Sequence, residues 1–309
     1  MITHTSFETF KQVLNPIVTI GTFDGVHLGH ATILEKLKSL ASEANGESAL
    51  LTFYPHPRMV LYPDDHGLQL LNSPEEKASL LEAAGLDHLM ILPFTREFAR
   101  MPAYDYVRDL LVNGMQIHTL VIGYDHRFGR NREGNHETLM ELSETFEYHV
   151  YEIPAQQIDT AEISSTKIRK AIELGELEHA NKLLGYCYSL DGRVIHGDGR
   201  GKTIGFPTAN IQPHYELKQI PAHGVYAAWL DTDQGSLRAV VNIGLRPTFE
   251  GTIRTHIEAH AIDYHGDLYN KSVRLRFICR LRSEQKFGSI VELTNQINAD
   301  IQNAHIHFQ

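Results

Sequence analysis

The sequence has few cysteines, fewer basic than acidic residues, and no long hydrophobic run. Its two cysteines, Cys187 and Cys279, lie far apart among 309 residues and form no CxxC motif. This pattern excludes a disulfide framework and a cysteine-based zinc site, and it favours a cytoplasmic location. No apolar stretch approaches the ~18 residues that a membrane-spanning helix needs, and the first residues lack the basic and apolar regions of a signal peptide. We therefore expect no membrane partner.

The charge balance is acidic, with 28 lysines and arginines against 38 aspartates and glutamates and a formal net charge of −10. Non-specific binding to nucleic acid needs a basic surface that displaces counterions, so we expect no nucleic-acid partner. A phosphorylated small molecule is compatible with this charge, because its pocket needs only a few local donors. The 19 histidines are the unusual component and raise the question of a metal site.

Hydropathy patterns divide the chain into two regions, as its length also suggests for domains of roughly 100–200 residues. In residues 1–185, short apolar runs typical of buried strands alternate with segments of helical periodicity. The runs are 18–20, 49–53, 89–92, 120–122 and, more weakly, 148–153. A capping motif predicts that one of the helices begins after Ser73 and ends near Gly85. This alternation predicts a Rossmann-like α/β domain whose parallel sheet is covered by helices on both faces.

Residues 186–309 show strand and turn signals instead. The strand segments are 224–230, 237–243, 257–262 and 273–281. In the last of them apolar side chains alternate with a mostly arginine face, the pattern of a half-buried antiparallel strand. A helix with an apolar stripe over 290–301 closes the chain. These signals predict a small antiparallel β-barrel or sandwich with a C-terminal helix.

A glycine-rich turn joins the first buried strand to a long helix. It has the sequence GTFDGVHLGH over residues 21–30. Phosphates bind at such turns, because glycine lets the backbone approach the anion and the helix N-terminus offers unpaired N–H groups. His27 and His30 are spaced so that both can donate to one phosphoryl group. The turn therefore indicates a site that binds and activates a phosphate.

This turn resembles the HxGH signature of the nucleotidyltransferase superfamily. Its specific form is most similar to the adenylyltransferase module of bacterial bifunctional riboflavin kinase/FAD synthetases. Three further segments are similar to that family in the same order, TFYPHP at 52–57, GYDHRFG at 123–129 and ISSTKIR at 163–169. The resemblance implies transfer of an adenylyl group from ATP to FMN, with His27 and His30 as catalytic residues.

The same resemblance implies binding residues in the first domain. The implied nucleotide contacts are Gly21, Phe23, Asp24, Asp125, Ser165, Thr166 and Arg169. His56 is expected near the flavin phosphate. This sequence departs from the family at His126, where many relatives have phenylalanine, and at Glu162, where relatives often have a basic residue. Both departures bear on affinity and leave the residues assigned to chemistry intact.

A second glycine-rich segment, GDGRGKT at 197–203, superficially matches a phosphate-binding P-loop. The match fails because that motif requires glycine where His196 stands, and because Gly205 and Pro207 prevent the helix that should follow. The next segment, GFPTAN at 205–210, is similar to the signature of riboflavin kinases. Segments 242–249, 266–269 and 282–287 are similar to that family as well.

The riboflavin kinase resemblance implies a small antiparallel barrel that phosphorylates riboflavin with ATP. Glu258 is expected to act as the general base on the ribityl hydroxyl. The implied ATP site consists of Gly197, Lys202, Thr208 and Asn210, of which the last two are expected to hold Mg²⁺. The implied flavin contacts are Asn242, Arg282 and Phe287.

One alternative concerns His256, Glu258 and His260, which share a strand face and have the composition of a 2-His-1-carboxylate metal site. Alternate side chains of an extended strand lie ~6.6 Å apart, which is too far to converge on one ion without a bulge. The strand pattern therefore favours separate roles for these three residues over a shared metal.

The two resemblances together cover nearly the whole chain. They predict a two-domain enzyme, residues 1–185 and 186–309, that converts riboflavin to FMN and FMN to FAD, with ATP as substrate and Mg²⁺ as cofactor. Two alternatives stay open. One is another HxGH nucleotidyltransferase acting on a cytidylyl or pantetheine substrate, and the other is a flavin- or nucleotide-binding regulator without catalytic activity. The sequence makes no prediction about oligomeric state.

Overall fold

The computed structural model describes residues 1–64, 67–124, 126–154, 163–197, 199–247 and 253–308. The chain divides into two units. The first comprises Met1–Leu68 and Pro74–Ser164, and the second comprises Gln69–Ser73 and Ser165–Gln309. The domain boundary between residues 185 and 186 remains a prediction from the sequence pattern.

The first unit contains a six-stranded sheet in which all neighbouring strands are parallel. Its strands are β1 (Ile2–His4), β2 (Ile17–Ile20), β3 (Ser48–Tyr54), β4 (His88–Pro93), β5 (Thr119–Gly123) and β6 (His149–Ile153), in the order β1-β4-β3-β2-β5-β6. Strands β2 to β6 coincide with the five predicted runs. The edge strand β1 has only three residues, too few for a hydropathy pattern to reveal it.

Helices cover both faces of this sheet. They are α1 (Phe7–Phe10), α2 (Leu28–Glu43), α3 (Pro57–Leu61), α4 (Pro74–Ala83), α5 (Ala103–Asp105) with a π-helical continuation over Tyr106–Gly114, and α6 (His136–Phe146). Leu34 and Leu37 of α2 are buried in the core on one face, and Val107 and Leu111 are buried on the other. The predicted two-sided α/β architecture is therefore confirmed.

The second unit contains a closed antiparallel barrel, which decides between the predicted barrel and sandwich. Its strands are β7 (Ser189–Ile195), β8 (Ala209–Pro213), β9 (Gly224–Thr232), β10 (Gly235–Pro247), β11 (Ile253–Ala261) and β12 (Ser272–Arg282), and they close in the order β10-β11-β8-β7-β12-β9. Its helices are α7 (Ser165–Leu174), α8 (Leu177–Leu184), α9 (Arg200–Thr203) and the C-terminal α10 (Ile290–His305).

Strand β12 has the predicted alternation. Its buried side chains are Val273, Leu275, Phe277 and Cys279. On the other face, Arg274 contacts Asp191 at 2.6 Å and Arg276 contacts Asp231 at 2.7 Å. Acidic residues of the neighbouring strands thus neutralise part of the basic face.

Two segments that precede the barrel in sequence belong to the second unit. The Asn181 side chain in α8 donates to the carbonyl oxygens of Phe277 and Ile278, which attaches α8 to β12. Within residues 69–73, Leu70 pairs with Lys218 through backbone hydrogen bonds on both sides. Throughout the described ranges, no helix is long and apolar enough to cross a membrane.

Candidate active sites

The glycine-rich turn of the first unit connects the buried strand β2 to helix α2. The Gly21 amide continues the sheet by donating to the Leu51 carbonyl at 3.0 Å. The backbone then enters the left-handed region at Phe23 (φ 46°), Gly25 (φ 89°) and Val26 (φ 35°). Non-glycine residues adopt this conformation at an energetic cost, and such outliers cluster at functional sites. The turn is therefore a fixed structure at the carboxyl end of a central strand.

Three aromatic rings stack within this turn. His30 lies between Phe23 and His27, with ring centres 4.3 Å from Phe23 and 3.7 Å from His27. His27 Nδ1 also accepts a hydrogen bond from the His30 backbone amide at 3.3 Å, which caps α2. Since Nδ1 is an acceptor, neutral His27 carries its proton on Nε2. The stack and the cap fix both imidazoles at the start of the helix.

Both histidines are neutral at pH 7. Burial lowers the pKa of His27 to about 4. Burial also holds the pKa of His30 well below its ordinary range, with further lowering by His27 and Lys77. A neutral imidazole still donates one N–H, so the pair can act as hydrogen-bond donors to a phosphoryl oxygen.

Lys77 is a member of this site that the sequence analysis missed. From α4, its ammonium donates to the Thr22 carbonyl at 2.7 Å. Burial lowers the pKa of Lys77, and the carboxylate of Asp24, which is buried, raises it. A lysine in an amphipathic helix normally lies on the solvent face, so no local signal distinguishes this one.

Other predicted residues of the first site follow strand ends or begin helices. Segment 52–57 includes the carboxyl end of β3, and segment 123–129 begins at the carboxyl end of β5. These two strands are the neighbours of β2 in the sheet. His56 precedes α3, where its Nδ1 accepts from the Arg58 amide at 3.2 Å. Asp125 and the departure at Glu162 lie outside the described residues. The implied phosphate residues Ser165, Thr166 and Arg169 are on α7, in the second unit.

In the barrel, three of the predicted kinase residues are neighbours. Strand pairing places Asn210 of β8 opposite Glu258 of β11. The Thr208 hydroxyl donates to Glu258 Oε2 at 3.3 Å. The amide and the carboxylate come from adjacent strands and the hydroxyl from the residue just before β8, and together they form one polar cluster.

This cluster has the donor set that Mg²⁺ prefers. Asn210 is only 6% exposed, and its Oδ1 has no hydrogen-bond partner within the described residues. Glu258 lies opposite Asn210 on the neighbouring strand and is in contact with the Thr208 hydroxyl, and Mg²⁺ binds hard oxygen ligands. The amide of Asn210 also occupies the space that a Cβ on Gly197 would take, so a side chain at this position would displace that amide. The residues present therefore fit the predicted metal.

A cavity of about 420 Å³ adjoins the cluster. Thr208, Lys202 and Asp267 are among its lining residues, together with Tyr269. The Tyr269 ring stacks on His196, with 4.3 Å between ring centres. The volume of the cavity lies in the usual range for small-molecule sites. Lys202, from the short helix α9, brings a positive charge to this cavity.

The three implied flavin residues of the kinase occupy different places. Asn242 of β10 lies opposite Glu258, so it faces the polar cluster. The Arg282 guanidinium instead forms a 2.9 Å ion pair with Asp300 of α10. The centre of the Phe287 ring lies 5.7 Å from the carbon atom of that guanidinium. The structure thus ties Arg282 to the C-terminal helix and Phe287 to Arg282.

The alternative metal triad on β11 does not form. His256 contacts Glu258 directly, with 2.6 Å between Nε2 and Oε1. The Nδ1 atom of His260 contacts the Pro207 carbonyl at 2.8 Å. Among the residues that the structure covers, no group of three or more histidine, cysteine, aspartate or glutamate side chains could hold a metal ion.

Comparison with known proteins gives matches along nearly the whole chain. A FAD synthetase family model matches residues 10–167, and a riboflavin kinase family model matches residues 184–308. A bifunctional riboflavin kinase/FMN adenylyltransferase from Listeria monocytogenes is 35% identical, covering 96% of this chain and 93% of that protein. One from Haemophilus influenzae is 38% identical, covering 94% of each chain. A solved structure from Streptococcus pneumoniae, described as a macrolide-efflux protein, is 29% identical with a TM-score of 0.89 and 98% coverage of both chains.

Proposed function

Because the chain belongs to the family of bifunctional riboflavin kinase/FMN adenylyltransferases, we propose that the two sites described above carry out its two successive reactions. The barrel phosphorylates riboflavin to FMN, and the parallel-sheet unit adenylylates FMN to FAD. The observation that carries the residue assignment is the cluster of Thr208, Asn210 and Glu258 beside a cavity of about 420 Å³. Riboflavin, FMN and ATP are the substrates.

In the kinase reaction, Glu258 accepts the proton of the ribityl hydroxyl while the hydroxyl oxygen attacks the γ-phosphorus of ATP. The new O–P bond forms as the bond from the γ-phosphorus to the bridging oxygen of ADP breaks. FMN and ADP leave, and the proton passes from Glu258 to water. Gly197 and Lys202 bind the ATP phosphates, whereas Asn242, Arg282 and Phe287 remain the proposed flavin contacts. Mg²⁺ held by Thr208 and Asn210 would neutralise phosphate oxygens.

In the adenylyl transfer, a phosphate oxygen of FMN attacks the α-phosphorus of a second ATP. The bond from the α-phosphorus to pyrophosphate breaks, so FAD and pyrophosphate form without a covalent enzyme intermediate. His27 and His30 donate N–H groups to the phosphoryl oxygens as negative charge develops. The remaining proposed nucleotide contacts are Gly21, Phe23, Asp24, Asp125, Ser165, Thr166 and Arg169, with His56 near the flavin phosphate.

The alternative functions lack comparable support. A nucleotidyltransferase for another acceptor would not need the riboflavin kinase region at 184–308. A regulator without activity would not need His27, His30 and Glu258 together. The efflux description belongs to the Streptococcus protein, whereas both halves of this chain match enzyme families.

One assay with two variants tests the proposal. Purified protein is incubated with ATP, Mg²⁺ and either riboflavin or FMN, and the flavins are separated by chromatography. Glu258→Gln is expected to slow FMN formation by about 10²- to 10⁴-fold and to leave FMN-to-FAD conversion intact. His30→Ala is expected to slow FAD formation by about 10²- to 10³-fold and to leave FMN formation intact.

The assay also separates the alternatives. A non-flavin product would support another transferase, and flavin binding without turnover would support a regulator. Loss of both activities in either variant would contradict the assignment of one reaction to each site.

We also propose a cytoplasmic location, which the small number of cysteines supports.

A further inference from the structure

His256 is one of the three β11 residues that have the composition of a metal site. The proposed reaction gives it no role. Its Nε2 lies 2.6 Å from Glu258 Oε1. An ionised carboxylate only accepts hydrogen bonds, so the imidazole must donate this one. The other carboxylate oxygen, Oε2, accepts from the Thr208 hydroxyl at 3.3 Å. Each oxygen of the proposed general base therefore has its own donor.

The neighbouring strand sets the surroundings of this imidazole. His256 lies opposite Gly244 of β10. The Glu284 carboxylate occupies the place where a Cβ on Gly244 would stand. Among the side chains that the structure describes, the charged or titratable groups on this face are Glu258 and His260 from β11 and Glu284 from the segment after β12. The opposing residues beside Glu258, Asn210 and Asn242, are uncharged.

The contact is shielded but open to substrate. The side chains of His256 and Glu258 are 24% and 30% exposed. At this degree of burial a charge-assisted hydrogen bond is screened less than on the open surface.

We propose that His256 is a positioning residue for phosphoryl transfer to riboflavin, acting through Glu258. This inference rests on the proposed role of Glu258 as the base. With Oε1 held by His256 and Oε2 by Thr208, the carboxylate cannot rotate, and a lone pair stays aligned with the ribityl hydroxyl.

The first test compares His256→Ala and His256→Gln with His179→Ala, a control at an exposed histidine of α8. In the full-length protein, His256→Ala is expected to lower kcat of the riboflavin kinase by about 10- to 100-fold. The KM values for riboflavin and ATP are expected to change by less than about twofold, because binding contacts are untouched. FMN adenylylation and the His179→Ala variant should match the wild type.

Rescue by a conservative variant gives a second readout that a purely structural role would not alter. Glutamine has an N–H donor without an imidazole, so His256→Gln should recover part of kcat. Wild-type kcat in His256→Ala, or an equal fall in both activities of the protein, would overturn the proposal.

A double variant separates this inference from the function on which it rests. In single-turnover measurements, adding His256→Ala to Glu258→Gln should have no further effect, because the two residues act as one unit. An additional fall would overturn the inference. A fully active Glu258→Gln would instead refute the proposed base, whereas an inactive Glu258→Gln beside a fully active His256→Ala would refute His256 alone.

Discussion

At the scale of single residues, the histidine pair shows how burial sets chemistry. His27 is 6% exposed, and burial holds its pKa near 4, below the ordinary 6.5. In the proposed adenylyl transfer the imidazole thus acts as a neutral donor and not as a cation. It does not repel Lys77, whose ammonium anchors the same turn through Thr22. Neutral histidines and one nearby cation together favour an anionic phosphate at this position.

This lowered pKa predicts acid sensitivity. The unfolded chain binds a proton at His27 as pH falls through 6.5, but the folded chain does so only near pH 4. Stability is therefore lost over that window, by ~2–3 kcal/mol at pH 4.5 from this residue. Urea unfolding at pH 7.5 and 4.5 measures how much unfolding free energy is lost in acid. The loss should be smaller than in the wild type by ~2–3 kcal/mol in His27→Asn, which keeps the helix cap. Equal losses in both proteins would contradict the assignment.

At the scale of elements, the barrel site depends on close approach between the loop after β7 and strand β8. Asn210 of β8 is held against the backbone of Gly197, and the same strand lies opposite Glu258 of β11. The side chains of Asn210 and Glu258 thus meet next to the loop after β7. The backbone of this loop can come close to Asn210 because it has a glycine, Gly197, at the point of contact. Strand pairing sets the positions of Asn210 and Glu258, and Gly197 packs against the Asn210 amide.

We expect Gly197→Ala to disturb this element. A Cβ there overlaps the Asn210 amide, so Asn210 must move from the proposed Mg²⁺ position. Riboflavin kinase activity should fall by about 10-fold or more, since misplacement by ~1 Å is sufficient for such a loss. Gly288→Ala is a suitable control, because its nearest neighbour would be a flexible glutamate at 3.4 Å. Unchanged kinase kinetics in Gly197→Ala would show that Asn210 is not required at that position.

At the scale of the whole molecule, the second unit includes a segment from the first half of the sequence. Leu70 exchanges backbone hydrogen bonds with the strand-like stretch around Lys218, at 2.7 and 2.9 Å. Lys218 is 2% exposed, donates to the Leu71 carbonyl at 2.6 Å, and lies over the Tyr188 ring. A long cationic side chain is buried here because a carbonyl and an aromatic face compensate for its lost hydration.

Lys218→Ala should therefore destabilise the second unit. It leaves the Leu71 carbonyl without this donor and removes a large buried side chain, at a cost of ~2–4 kcal/mol. Lys271→Ala, which removes an ion pair with the exposed Asp233, should cost less than ~1 kcal/mol. Denaturant unfolding followed by the fluorescence of Trp229, the single tryptophan, reports on the barrel. Equal effects of the two substitutions on unfolding would contradict a stabilising role for the contact between Lys218 and residues 69–73.

The sequence by itself determined the α/β architecture of the first region, the antiparallel strands of the second and the chemical motifs, whereas its strand pattern left barrel and sandwich open and the tertiary structure closed the barrel. Buried parallel strands need uninterrupted apolar runs, and a barrel strand such as β12 needs alternation, so both appear in local patterns. The HxGH turn and the GFPTAN segment are equally local. Tertiary structure alone decided the contacts of Lys77 with Thr22, of Lys218 with Leu71 and of Arg282 with Asp300. Their partners lie 18 to 147 positions away in sequence. No local pattern encodes such a pair, because only packing brings the two residues together.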